Sequence, residues 1–262
     1  MRSCFRSLER HGVRYLLISG QASILYGAAE FSEDVDLWVS PDPANLRALR
    51  AALHDARANV HKLTPPLDPA VARRGLGFHF LLPPEGLEPC YLDIMGRPPR
   101  VGSFASARRR ASIMKTPLGT MPVVAIVDLV ELKKTRRLGD YEVISRLALA
   151  RLSAAGRSPG KAVLTWALRH AFRIEDAVQI LETWPSARGL LESVGCAWLR
   201  QLESIWTPGT PLDAEDHARV QLALNAEIGE HQRRDLLYWS GIIDELREMR
   251  RAGTLLPEGS AV

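Results

Sequence analysis

The chain has 262 residues, of which 46% are hydrophobic and 24% charged, and its 34 basic and 30 acidic residues give a formal net charge of +4. These proportions are those of an ordinary soluble globular protein with one substantial domain and a smaller one, and they exclude a low-complexity chain. The net charge is compatible with an anionic partner such as a nucleotide or nucleic acid and is too small to require one.

Cysteine spacing and hydropathy both predict a cytoplasmic protein. Cys4, Cys90 and Cys196 form no CxxC pair, which is typical of reduced thiols in a cytosolic chain. The basic start and the apolar stretch at 15–29 superficially resemble a signal peptide, but Ser19 and Gly20 interrupt that stretch in its middle. No segment approaches the length needed to cross a bilayer, so we expect no membrane partner.

The hydrophobic pattern predicts an α/β N-terminal half. In chain order it indicates a helix at 2–11, a strand at 13–19, a helix at 21–29, a strand at 34–40, a helix at 45–57, and a loop with a short helix at 64–76. Strands at 77–82 and 90–96 are expected to form an antiparallel hairpin through a turn at 83–89. A basic, turn-rich stretch at 97–110 precedes a short strand at 111–116, and a strand followed by two helices occupies 121–152.

The C-terminal half has helical periodicity almost throughout. Loops are expected at Trp184-Pro185 and at 207–213, and a long amphipathic helix or helix pair at 216–251 is followed by a frayed tail at 255–262. The sequence therefore predicts an α/β domain over 1–152, with a small mixed twisted sheet, and an all-helical domain over 160–262.

The strongest local signal is the pair Asp34 and Asp36 in the predicted strand at 34–40. Side chains two residues apart on a strand point to the same face, so both carboxylates project together. Two such carboxylates repel each other unless a cation lies between them, and a divalent metal is the usual solution. Taken alone, the pair is equally well explained as a solvated strand face.

Three neighbouring features favour the metal site. The small-residue turn Ser19-Gly20 joins a buried strand to a helix and offers backbone amides to a phosphate. Ser32 lies just before the carboxylates, and Asp93 lies inside an otherwise apolar strand, where an isolated charge is costly unless paired or metal-bound. Convergent carboxylates beside a phosphate-binding turn suggest metal-assisted phosphoryl or nucleotidyl transfer.

The segment ISGQASILYGAAEFSEDVDLWV resembles the signature of the nucleotidyltransferase (polymerase beta-like) superfamily: a hydrophobic strand, a Gly/Ser turn, a helix ending in YG, and then [ST]-x-D-x-D-L. Within that superfamily the chain is most similar to the bacterial abortive-infection type nucleotidyltransferases, which are toxins of toxin–antitoxin pairs. A second block, VVAIVDLVELKKTRRLGDYEVI, matches the family's strand, helix with lysine, and following acidic residue. The resemblance covers residues 13–147, so that 1–152 is expected to be a nucleotidyltransferase-like domain.

The resemblance implies a role for each matching residue. Ser19 and Gly20 match the turn that grips phosphate, with Ser32 beside it. Asp34, Asp36 and Asp93 match the carboxylates that bind Mg²⁺ or Mn²⁺, and Asp93 would also help to deprotonate the acceptor hydroxyl. Lys133 or Lys134 matches a helix lysine that contacts the nucleotide, and Asp140 an acidic residue that orients it.

Two basic segments are further candidates for contacts with phosphate groups. Arg97, Arg100 and Arg108–Arg110 either contact RNA phosphates or belong to a solvated loop. The segment SAAGRSPGKA at 153–162 is similar to a P-loop, but its glycines are too close together and no Ser or Thr follows Lys161. It is therefore not interpreted as one.

The expected reaction is magnesium-dependent transfer of a nucleoside monophosphate from a nucleoside triphosphate to an acceptor hydroxyl, with pyrophosphate leaving. The resemblance implies an RNA acceptor such as tRNA and a cognate antitoxin as partner. The first alternative is a small hydroxylated acceptor, as for antibiotic-modifying nucleotidyltransferases. The second is a catalytically silent regulatory or binding protein that keeps the fold.

Overall fold

The computed structural model describes residues 1–84 and 90–262. Strands of one mixed sheet alternate with helices up to about residue 133, and the rest of the chain is mainly helical. Seven strands make the sheet: β1 (Tyr15–Ile18), β2 (Asp34–Val39), β3 (Asn59–Val60), β4 (Gly77–Leu82), β5 (Cys90–Met95), β6 (Ser112–Thr116) and β7 (Gly119–Val123). Within the described ranges the helices are α1 (Arg2–Arg10), α2 (Ser19–Leu25), α3 (Pro43–Asp55), α4 (Pro69–Arg74), α5 (Phe104–Arg110), α6 (Ile126–Lys133), α7 (Gly139–Ala154), α8 (Lys161–Arg169), α9 (Ile174–Thr183), α10 (Leu191–Val194), α11 (Ala197–Ile205) and α12 (Ala214–Arg251), with a 3-10 helix at Pro185–Leu190.

The strands lie in the order β3-β4-β5-β2-β1-β7-β6. β2 is antiparallel to β1 and parallel to β5, while β1 is parallel to β7. β4 and β5 form the antiparallel hairpin that the sequence predicts; residues 85–89 of its predicted turn lie outside the described residues. The sheet is therefore mixed, as expected.

Alternation along the strands separates a core face from a more open face. On β4 and β5, Phe78, Phe80, Leu92 and Ile94 are fully buried, while the residues between them are partly exposed. β2 follows the same rule over its first half, because Val35 and Leu37 are buried. A one-residue slip of any of these strands would turn its apolar residues to the open face, so the core fixes the register.

Helix starts follow local sequence signals. The Asp42 side chain accepts a hydrogen bond from the Asn45 amide, 2.9 Å away, at the start of α3, whose first residue is Pro43. Asp68 plays the same part for α4 and Ser103 for α5. Capped helix starts with proline in the first turn satisfy amides that have no partner inside the helix.

The chain divides into two compact units. The sheet unit comprises Met1–Leu25, Ala29–Leu132 and Tyr238–Val262; the helical unit comprises Tyr26–Ala28 and Lys133–Leu237. The prediction of an α/β architecture with a helical C-terminal region is confirmed, and the nucleotidyltransferase fold itself stays a prediction. The predicted domains, 1–152 and 160–262, also stay a prediction.

Two expectations about loops are wrong. The basic stretch before residue 111 contains α5, because Ser103 caps a helix there: its hydroxyl oxygen accepts from the Ser106 amide at 3.2 Å. The C-terminal tail is not frayed. The Val60 amide donates to Ser260 O and the Gly259 amide to Val60 O, both at 2.8 Å, so the tail lies along the β3 edge.

Among the residues that the structure describes, no helix is both long enough and apolar enough to cross a membrane. The 38-residue α12 has the length, but charged residues recur along all of it.

Candidate functional site

Two of the predicted carboxylates lie side by side on the open face of the sheet. Asp36 on β2 pairs in register with Asp93 on β5, and neighbouring strands are about 4.8 Å apart. Asp34 is two residues before Asp36 and shares its face. The structure therefore places the three carboxylates that the sequence singles out on one face of two adjacent parallel strands.

A histidine continues this row. His79 on β4 is the register partner of Asp93, and its Nδ1 lies 2.8 Å from Oδ1 of Asp93 in a hydrogen bond. Its backbone is held by Thr64, whose hydroxyl oxygen accepts from the His79 amide at 2.9 Å and whose hydroxyl donates to the His79 carbonyl at 3.0 Å. The orientation of the Asp93 carboxylate is consequently set from the neighbouring strand.

In the part of the chain that the structure describes, no three His, Cys, Asp or Glu side chains are grouped closely enough to hold a metal by themselves. The donors present are carboxylate oxygens, which are the ligands that Mg²⁺ prefers. Mg²⁺ in phosphoryl-transfer sites usually takes one or two carboxylates and completes its octahedron with water and substrate phosphate. Asp36 together with Asp34 or Asp93 would provide the two carboxylates that such a Mg²⁺ site uses. The full set of three carboxylate ligands stays a prediction.

The Ser19-Gly20 turn has a close neighbour. Ser19 has a φ of 57°, a left-handed conformation that is uncommon for residues other than glycine. A Cβ added to Gly20 would lie 2.2 Å from the Ser32 hydroxyl oxygen and 2.7 Å from the Ser32 Cβ. Ser32 thus packs directly on the turn. Position 20 requires glycine because any larger residue would collide with Ser32.

Ser32 is fixed in place by two hydrogen bonds. Its hydroxyl donates to the Asp34 carbonyl at 3.1 Å, and its own carbonyl accepts from the Gln21 side chain at 3.1 Å. Ile18 on β1 pairs with Asp36 on the antiparallel β2, so the turn that follows Ile18 lies beside the start of β2. The predicted phosphate turn and the carboxylates therefore share one end of the sheet.

The predicted lysine helix and acidic residue meet within the helical unit. Lys133 Nζ lies 2.8 Å from Asp140 Oδ1, and both side chains are largely buried, at 14% and 12% exposed. Thr135 donates to the other oxygen of Asp140 at 2.5 Å. Asp140 and Lys133 thus form an ion pair, and Lys134 is buried. The role of these three residues toward a nucleotide stays a prediction.

Three of the candidate RNA-binding arginines form contacts within the sheet unit. Arg110 makes a two-pronged ion pair with Asp128, at 2.7 and 3.1 Å, and this hydrogen bonding raises the pKa of Arg110. Arg100 donates to the Glu131 carbonyl at 2.9 Å, and Arg108 to the Tyr15 carbonyl at 3.4 Å. Arg97 and Arg109 have no such partner among the described residues.

Sequence reasoning missed His79 and Gln21. The hairpin offers the signal for the first: a turn over 83–89 places residue 82 opposite residue 90, and the same count places His79 opposite Asp93. The contact of Gln21 with Ser32 crosses a loop, and no spacing in the sequence indicates it.

Comparison with protein-family models and with curated protein sequences gave no match to this chain.

Proposed function

We propose that this protein is a magnesium-dependent nucleotidyltransferase of the polymerase beta-like superfamily that transfers a nucleoside monophosphate to a hydroxyl of RNA. The observation that carries the proposal is the register of Asp36 with Asp93 on adjacent parallel strands, with Asp34 on the same face and the Ser19-Gly20 turn at the same end of the sheet. Metal-dependent nucleotidyl transfer needs at least carboxylates to bind the metal and a nearby turn to bind phosphate.

In the proposed reaction the acceptor hydroxyl oxygen attacks the α-phosphorus of a nucleoside triphosphate. A new phosphate ester bond forms, the bond to pyrophosphate breaks, and the hydroxyl proton passes to the Asp93 carboxylate. A bound Mg²⁺ or Mn²⁺ would supply positive charge against the triphosphate oxygens. Asp34 and Asp36 would hold that ion, while His79 keeps Asp93 in a fixed orientation through the 2.8 Å hydrogen bond.

The charges around the described cavities favour RNA over a cationic small molecule as acceptor. One cavity, in the sheet unit, has two arginines and one carboxylate in its lining (Arg73, Arg97 and Asp42), and another, in the helical unit, has Arg146 and Arg157. Arginine attracts phosphate and repels aminoglycosides, which are cations. A partner antitoxin belongs to the proposal through the resemblance alone, and the cytoplasmic location through the cysteine spacing and the hydropathy.

The test is transfer of label from each α-labelled nucleoside triphosphate to total RNA in the presence of magnesium, with Asp36→Asn as the key variant. We expect labelled RNA from the wild type and a loss of about 10²–10³-fold in Asp36→Asn, the size of effect seen when a group that stabilises transition-state charge is removed. Glu33→Gln is the matched control, since Glu33 is an exposed carboxylate three residues away from Asp36 and outside the strand.

A second candidate is the catalytically silent protein that keeps the fold. It is favoured by the Ser32 side chain, which packs on the turn where a phosphate would bind. Absence of transfer to RNA, together with absence of nucleotide binding in calorimetry, would favour this candidate and contradict the enzyme. Transfer to an aminoglycoside but not to RNA would instead identify the small-molecule acceptor.

A further inference from the structure

A cavity of about 890 Å³ lies within the helical unit, between α7, α9 and the loop that follows α7. Its lining includes two arginines, Arg146 and Arg157, the aromatic residue Trp184, and the polar residues Ser153, Gln179 and Thr183. Volumes of 300–1,000 Å³ are typical of sites for small organic ligands. Among the described residues that line this cavity there is no carboxylate.

The two arginines are available for an anion. Both are exposed, and neither side chain forms a hydrogen bond or salt bridge with another described residue. The carboxylate that Arg146 influences is the buried Asp176, whose pKa is raised by burial, with Arg173 and, more weakly, Arg146 acting in the opposite direction. Asp176 is buried and is not one of the described residues that line the cavity.

Local backbone structure brings Arg157 to this wall. α7 ends at Ala154, and its last carbonyls accept from the amides of Ala155 and Gly156 at 3.1 Å. Gly156 has a φ of 78°, a conformation that turns the chain back and that glycine adopts without strain. The helix end is thus satisfied by its own backbone and does not present unpaired acceptors to an anion.

Trp184 supplies a flat apolar surface. Its indole nitrogen donates to the Arg157 carbonyl at 3.2 Å, so the polar edge of the ring is satisfied and the ring orientation is fixed. The side chain is only half-buried, which leaves part of the ring open to the cavity. A fixed aromatic ring beside two free guanidinium groups matches a ligand that carries both a planar ring and a phosphate.

We propose that this cavity binds a nucleotide unit, with the base on Trp184 and the phosphate on Arg146 and Arg157. The nucleotide is either free or part of single-stranded RNA, since both present the same base and phosphate. Ser153, Gly156 and Arg157, which line one wall, belong to the segment that resembles a P-loop. Here that segment joins two helices and contributes an arginine rather than a phosphate-wrapping loop. The site lies within the helical unit and does not rest on the proposed transferase activity.

The test is equilibrium binding of the full chain to a fluorescein-labelled ten-nucleotide single-stranded RNA, followed by anisotropy at low salt. Arg146→Glu and Arg157→Glu are each expected to weaken binding by roughly tenfold and to reduce the salt dependence by about 0.7 in the log–log slope. Trp184→Ala is also expected to cost roughly tenfold, and Trp184→Phe to retain most of the affinity because stacking survives. Arg200→Glu, which makes the same charge change at another exposed arginine of the helical unit, should bind as the wild type does.

Competition by unlabelled ATP or AMP identifies the source of the nucleotide. Competition at micromolar to millimolar concentration indicates a free nucleotide, whereas binding of RNA that neither compound displaces indicates an RNA segment; both support the site. Absence of binding by the wild type, or equal weakening in Arg200→Glu and the two cavity arginine variants, would overturn it. The transferase test reads label transfer and its loss in Asp36→Asn, whereas this test reads binding and its loss in the cavity variants, so failure of the transferase proposal and failure of this one are distinguishable.

Discussion

Gly20 shows how one residue position serves packing at a predicted site. Any side chain there would collide with Ser32, whose hydroxyl oxygen lies 2.2 Å from the position of a Cβ. Ser32 cannot move away freely, because the Asp34 carbonyl and the Gln21 side chain both hold it. The glycine is therefore needed for the loop before β2 to lie on the turn after β1, whether or not phosphate binds.

We predict that Gly20→Ala lowers the free energy of unfolding by about 1–3 kcal/mol, the usual cost of forcing extra atoms into a packed region. Gly20→Ala combined with Ser32→Gly should recover part of the loss, because the second change removes the atoms that collide. Urea denaturation followed by circular dichroism measures both variants.

Gly102→Ala is the control for this prediction. A Cβ at Gly102 has open space around it, and Gly102 also belongs to the sheet unit. Its stability should equal or slightly exceed that of the wild type, because alanine restricts the unfolded chain. Equal stability of Gly20→Ala and the wild type would contradict the packing role of Gly20.

Among the elements, those with local signals can be predicted from the sequence. Alternation in β2, β4 and β5 predicts both the strands and the shared face of Asp34 and Asp36. The parallel pairing of β2 with β5 cannot be read in this way, because more than fifty residues separate the two strands and no local pattern encodes which strands meet. The approach of Asp93 to Asp36 depends on that pairing, so the sequence suggests this contact through the resemblance and not through periodicity.

The two-residue strand β3 and the tail were missed for a similar reason. β3 is too short to show alternation, and the tail sequence LLPEGSAV contains glycine and proline, which are typical of loops. The hydrogen bonds between them join residues far apart in the sequence, so neither segment by itself indicates that the two pair. An edge strand covered in this way cannot offer its free backbone groups to another chain.

We predict that removal of residues 256–262 lowers the free energy of unfolding by about 2–4 kcal/mol, at about 1 kcal/mol for each backbone hydrogen bond lost to residues 58–64. Those bonds join the tail to Ala58, Val60 and Thr64. The uncovered edge should also promote self-association, which light scattering at increasing protein concentration would detect.

Glu258→Gln provides the control for the tail. It removes the 3.7 Å ion pair with His61 and keeps the backbone bonds, and an exposed pair of this kind contributes less than about 1 kcal/mol. A truncated chain that unfolds like Glu258→Gln would show that the tail contributes little to the sheet.

At the scale of the whole molecule, the sheet unit is discontinuous in sequence. Its last segment, Tyr238–Val262, follows the helical unit in the chain and joins Met1–Leu25 and Ala29–Leu132. Arg74 on α4 forms an ion pair with Glu245 on α12 at 2.7 Å, and the tail adds its bonds to the β3 edge. The sequence pattern suggests a boundary near 153–160, because the pattern changes to helical periodicity there. It carries no sign that Tyr238–Val262 belongs to the sheet unit.

We predict that a fragment of residues 1–152 does not unfold cooperatively, because it lacks Tyr238–Val262 and the contacts this segment makes in the sheet unit. Circular dichroism during urea titration should show a broad, shallow change for the fragment and a sigmoidal one for the full chain. Co-expression with residues 153–262 is expected to restore the sigmoidal transition. A fragment that unfolds cooperatively by itself would instead support the domain division at residue 152.

The return of Tyr238–Val262 to the sheet unit also sets an order of events during protein synthesis. About 100 residues of helical sequence must be translated between Leu132 and the segment that completes the sheet. At typical elongation rates of about 5–20 residues per second, this takes roughly 5–20 seconds. During that interval the strand bearing Asp34 and Asp36 is already made while the β3 edge is still uncovered. The nascent chain is therefore open to chaperones and to mispairing until residues 256–262 emerge.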